Sequence, residues 1–80
     1  MTIKGEFVSI FTQYDEGVEN YIILIALVKW INRYKNIVKD QDSINDLLWR
    51  ISMDDSNLIV QEFILGMNYQ SLRDEINKMK

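Results

Sequence analysis

Between Tyr21 and Val28 the only polar group is a phenol, and no other stretch of the chain is so apolar for so long. It lies inside Val18 to Tyr34, VENYIILIALVKWINRY. At 100° per residue, Lys29, Asn32, Arg33 and Asn36 share one helix face, and the same face runs back into Val18, Ile22, Ile25 and Ala26. The second half of this helix therefore has a wet side and the first half has none. A helix apolar all round is either the central strut of a bundle or half of a protein interface.

The remaining segments repeat the 3.6-residue period. Ile3, Phe7, Val8, Ile10, Phe11 and Tyr14 predict a first helix over Thr2 to Tyr14, begun near Thr2 or Gly5 and closed by Gly17 as a left-handed residue. A strand over Gly5 to Phe11 competes, because β-branched and aromatic residues are frequent there. Asn36 to Gln41 links to a third helix capped by Asp42 or Ser43, where Ser43 and Asp46 approximate a capping box. Its core stripe is Ile44, Leu47, Leu48 and Ile51. Asp54, Asp55 and Ser56 end it and cap a fourth helix, Asn57 to Leu65, apolar on most sides and stopped at Gly66. Tyr69, Leu72, Ile76 and Met79 predict a last helix capped by Asn68 or Ser71. With no Pro to interrupt any of these, the expectation is one all-α domain over residues 1–80, a compact bundle of four to five short helices centred on the second and fourth.

Composition narrows the chemistry. The chain has no His and no Cys, so it lacks the commonest general base, the commonest metal ligand and any thiolate. Asp40-Gln41-Asp42-Ser43-Ile44-Asn45 starts like a calcium loop. It then puts Ile44 at the fifth position, Asn45 where Gly belongs and Ile51 where a bidentate Glu should be. Only Gly5, Gly17 and Gly66 are available for a phosphate loop, and none forms one. We expect no enzyme activity, no metal and no cofactor. The apolar run is about one-third of the ~20 residues that cross a bilayer, and Met1 to Phe11 lacks the features of a secretory signal. The expectation is a cytoplasmic protein with no membrane contact.

What remains is binding. Trp49 and Met53 lie four residues apart, opposite the core stripe of the third helix. Asp42 and Asp46 stand in line behind them, and Asp54 and Asp55 follow directly. A large aromatic ringed by carboxylates suits a basic protein partner. Otherwise Trp49 is core, covered by the first or last helix. Charge is uneven: Asn20 to Lys39 holds four basic residues and no acid, whereas Asp40 to Glu62 holds six acids and Arg50 alone. Lys29 to Lys35 interleaves basic and aromatic residues as nucleic-acid binders do. Trp30 and Tyr34 face away from Lys29 and Arg33, however, and a net charge of −3 offers little to phosphates.

Thr12-Gln13-Tyr14-Asp15-Glu16-Gly17 resembles the inhibitory-helix pattern of Fic-domain antitoxins, a Ser or Thr, three residues, Glu, then Gly or Asn. The likeness covers six residues. It implies that Glu16 engages the arginine that would hold a nucleotide's γ-phosphate, with Thr12 its helix-side companion. By size and charge the chain is also similar to immunity proteins, antitoxins and phage inhibitors, which cover a site on a larger partner. The reading taken from the sequence is such an acidic binding module. The alternative is a self-associating subunit whose Ile22, Ile25 and Leu58, Leu65 faces pair across a two-fold axis.

Overall fold

The computed structural model describes residues 2–79, and every regular element among them is helical. Five α-helices follow in order: α1 (Ile3–Asp15), α2 (Asn20–Tyr34), α3 (Gln41–Met53), α4 (Ser56–Leu65) and α5 (Gln70–Asn77). A 3₁₀ turn, Met67–Tyr69, leads directly into α5. The radius of gyration is 11.5 Å, against roughly 11.6 Å for a compact chain of this length. The helices thus close on one another.

The strand alternative for Gly5 to Phe11 gives way to helix. Thr2 accepts a hydrogen bond from the Gly5 amide at 2.9 Å and caps α1, and the 3.6 period then buries Phe7 and Ile10. The helix closes as expected. Gly17 has φ +80°, and the Gly17 and Val18 amides donate back to the Tyr14 and Gln13 carbonyls at 3.1 and 3.0 Å. This pair of bonds is a Schellman motif, which requires the left-handed residue.

Phe7 joins three helices. Its ring centroid lies 5.0 Å from Phe11, 5.2 Å from Trp30 of α2 and 5.5 Å from Phe63 of α4. Trp30 is itself enclosed, and its indole N–H donates to the Ile3 carbonyl at 2.9 Å. Glu6 accepts from both Arg33 and Tyr34, fixing α1 along the second half of α2. At the other end Asn20 donates to Asn57 at 2.8 Å, setting the starts of α2 and α4 side by side.

Neither of the two expected central helices is covered all round. α4 buries Ile59, Val60 and Phe63 completely and leaves Leu58 and Leu65 exposed. α2 divides likewise. Ile23, Leu27, Trp30 and Ile31 are buried, but Tyr21, Ile22 and Ile25 are 55%, 42% and 52% exposed. Only α1 and α4 pack extensively on α2, and two neighbours cover little more than half of a helix. Its second half has the wet side expected of Lys29, Asn32, Arg33 and Asn36, all exposed.

Two expected caps are wrong. Asp40, rather than Asp42 or Ser43, caps α3, accepting from the Ser43 amide at 3.2 Å and the Ser43 hydroxyl at 2.7 Å. The choice is made by a remote helix. Ser71 of α5 donates to the same carboxylate, and Glu75 accepts from the Lys39 and Asp40 amides at 2.8 and 2.9 Å. Burial alone would raise the Asp40 pKa; the bonds from Ser71 and Ser43 outweigh it and hold the group below its ordinary value. Neither Asn68 nor Ser71 caps α5, because the chain enters it through the 3₁₀ turn with no side-chain cap bond.

The two glycines at helix ends separate two physical effects. At Gly66 φ is an ordinary −76°, but an added Cβ would stand 2.5 Å from the Glu62 carbonyl oxygen. At Gly17 an added Cβ meets nothing within 4 Å. We expect Gly66→Ala to cost about 1–3 kcal/mol by overpacking and Gly17→Ala about 1–2 kcal/mol through its dihedral alone, read as shifts in urea midpoint. Equal stability of Gly66→Ala and the wild type would show that the end of α4 yields freely.

Candidate protein-interaction surface

The outer face of the α3–α4 hairpin follows from its inner one. Ile44 and Leu47 of α3 are buried, with Leu48 and Ile51 half-buried beside them. That orientation turns Trp49 and Met53 to solvent, 62% and 65% exposed. The covered alternative for Trp49 is thereby excluded. On α4 the four buried positions Ile59, Val60, Phe63 and Ile64 leave Leu58 and Leu65 outside, 42% and 67% exposed.

An ion cluster lies between these pairs. Arg50 donates to Glu62 across the hairpin, to Asp54 at 2.9 Å and to the Tyr69 hydroxyl at 3.3 Å, and Tyr69 in turn donates to Asp46. Met53 stands one turn beyond Arg50. Leu58 and Leu65 stand one turn either side of Glu62. Helical geometry therefore places all four apolar side chains along the borders of one bridged seam.

The acids are less free than the sequence suggests. Asp54 is held by Arg50, Asp55 caps α4 by accepting from the Leu58 amide at 2.9 Å, and Asp46 accepts from Tyr69. Asp42, in the first turn of α3, is exposed. The ring of carboxylates is thus largely drawn into the fold, with Asp42 at its free end. Tyr69 is the residue that sequence reasoning missed. It was legible as a core position on the α5 stripe, but its hydroxyl reaches a seam made 19 and 23 residues earlier.

This seam, together with Tyr34 and Asp40 outside it, makes stability depend on pH. Burial, and then the Asp46 carboxylate, push Tyr69 up to about 12 despite Arg50. Hydrogen bonding to Glu6, with some burial, raises Tyr34. Both phenols bind their protons more tightly folded than unfolded, so their contribution is complete below pH ~10 and is lost as pH rises through the folded values. Arg50 lowers Glu62 below its ordinary 4.5. Its contribution, with that of Asp40, is present above the ordinary carboxylate values and is lost as pH falls through the lowered ones. Urea midpoints should therefore be flat between about pH 5 and 9 and fall on both sides. In Tyr69→Phe the alkaline fall should be shallower; an unchanged slope would remove Tyr69 from the account.

The other candidates are placed plainly. Trp30 is core and Tyr34 is tied to Glu6, so neither offers a ring for base stacking beside Lys29 and Arg33. The calcium-like run is a cap followed by helix from Gln41 on. Among the described residues no group of three or more metal-ligating side chains gathers. Thr12 donates to its own helix's Val8 carbonyl at 3.1 Å, and Glu16 is exposed as the C-cap residue of α1. No helix among the described residues is long and apolar enough to cross a membrane. Compared with protein-family models, curated proteins and solved structures, the chain matches none.

Proposed function

We propose that this protein is a binding module that occludes or regulates a larger partner protein through the outer face of α3 and α4. The observation that carries this reading is Trp49. A tryptophan 62% exposed on the side of α3 opposite the core, with Met53 beside it, adds little to the packing of its own chain. Tryptophan is the residue most enriched among those that dominate interface energetics, and methionine adapts to an uneven cleft. Leu58 and Leu65 extend the apolar face beyond the Arg50–Glu62 seam. Asp42, with the outer sides of Asp46, Asp54 and Asp55, would meet Lys or Arg at the margin of the partner's cleft. Their role is chiefly to guide approach, so association should be fast at low salt and slowed by added salt. The role is binding rather than catalysis.

Trp49→Ala tests it. Stability should stay within about 0.5 kcal/mol of wild type, since the side chain is largely in water. Quantitative mass spectrometry of proteins captured from the native cell should find at least one species retained by the wild type and lost by Trp49→Ala. If stability falls by several kcal/mol, or if the two baits capture the same set, the Trp49 face is not the docking surface. Fluorescence supplies a control. Trp49→Phe leaves only the enclosed Trp30, so its emission should be blue-shifted from wild type.

A further inference from the structure

The uncovered face of α2 is a second exposed apolar surface. Ile22, Ile25, Lys29 and Asn32 recur within α2 at alternating spacings of three and four, and they face away from the buried Ile23, Leu27 and Trp30. That is the spacing of a seam between two helices. Its first half is apolar: Ile22 and Ile25, with Tyr21 alongside, are each about half in water. Its ends are oppositely charged. Asp15, Glu16 and Glu19, all exposed, surround the start of α2; Lys29 and Arg33 are exposed on its second half, Arg33 already paired on one side with Glu6. Neither Glu19 nor Lys29 enters any of the ion pairs formed among the described residues.

A surface that is acidic at one end, apolar in the middle and basic at the other complements itself when reversed. We infer that the partner of this face is a second copy of the chain, packed with its α2 antiparallel about a two-fold axis between Ile22 and Ile25. In that register Ile22 meets Ile25 of the other copy, Glu19 approaches its Lys29, and the acidic turn at Asp15 and Glu16 approaches its Arg33. Each contact occurs twice, as an isologous interface requires. A parallel arrangement would instead set like charges together at both ends. The antiparallel one also opposes the two helix dipoles. The apolar area is small for an interface, three side chains per copy, which places the dimer in the weak, reversible class. This inference does not depend on the role of Trp49.

Sedimentation equilibrium of the full chain tests it, with circular dichroism confirming that each variant is folded. The wild type should show a monomer–dimer equilibrium at or below ~1 mM. Glu19→Lys and Lys29→Glu each replace two attractive contacts by two repulsive ones and should weaken the dimer about five- to tenfold. The double exchange should restore it to within about twofold. The two single variants, mixed, should pair with each other better than either pairs with itself. Ile25→Glu should abolish association. A wild type that is monomeric up to ~1 mM overturns the inference. So does a dimer that Ile25→Glu leaves intact, or one that the double exchange fails to restore. The charge variants lie wholly on the surface, so the test survives even if Ile25→Glu does not fold.

Discussion

Replacing Phe63 with Ala should remove about 3–5 kcal/mol of unfolding free energy. Phe63 is wholly buried near the middle of α4. Its ring lies 5.5 Å from Phe7, 5.7 Å from Phe11 and 6.4 Å from Tyr69. It therefore holds α1, α4 and the 3₁₀ turn against one another. A chain of this length has roughly 4–12 kcal/mol of net stability, so the loss removes from about a quarter to all of it. Collapse cannot refill the space cheaply, because Tyr69 is fixed by its bond to Asp46 and Phe7 is backed by Trp30, itself held to the Ile3 carbonyl. The matched control is Leu65→Ala, two residues on in the same helix and 67% exposed, expected to change stability by no more than about 0.5 kcal/mol. Chemical denaturation of both decides it. A Phe63→Ala loss near 1 kcal/mol would mean that the core does not run through α4.

The contrast between Phe63 and Leu65 shows what the sequence could convey. Periodicity identifies helices because a 3.6-residue repeat of apolar side chains has few other uses, and all five segments were legible on that ground. Burial along an apolar helix is a different question. α2 and α4 both read as apolar nearly all round, yet each keeps one face in water, Tyr21, Ile22 and Ile25 on α2 and Leu58 and Leu65 on α4, and differs there from its buried face. The difference depends on how many neighbours reach each helix, which no local pattern records. Opposition to Ile44, Leu47 and Ile51 put Trp49 and Met53 on a second face of α3 but left open whether another helix covers Trp49; in the fold both are exposed. The carboxylates were less legible. Asp40, Asp42 and Ser43 are equally good caps by local chemistry, and Ser71 and Glu75, over 30 residues away, decide among them. Likewise Asp46 reads as a free partner-binding acid until Tyr69 arrives from 23 residues on, whereas the Arg50–Asp54 pair, four residues apart on one helix, was open to local reading.

Arg73 is the residue whose importance was least visible, and Arg73→Met should cost about 2–3 kcal/mol. In sequence it is a cation beside the stripe of Leu72 and Ile76. In the fold it is 8% exposed and donates to the Phe63 carbonyl at 2.8 Å, the Gly66 carbonyl at 2.8 Å and the Gln70 side chain at 3.0 Å. Helix α4 ends with carbonyls that no later turn of its own can satisfy. The guanidinium satisfies one of them, adds the Gly66 carbonyl just beyond, and sets positive charge at the negative end of the helix dipole. Methionine keeps most of the stem's packing and removes the donors, so the loss reports the clamp itself. Lysine should recover little of it, because a single ammonium cannot reach the two carbonyls with the geometry of a planar fork. Amide exchange sharpens the test: protection should fall first in the Met67–Tyr69 turn and the start of α5, ahead of α1 and α2. The turn carries Tyr69 to Asp46 and Arg50, so loosening it should also loosen the seam that Leu58 and Leu65 border. If Arg73→Met unfolds at the wild-type denaturant concentration, the carbonyls are satisfied by water and the clamp contributes nothing.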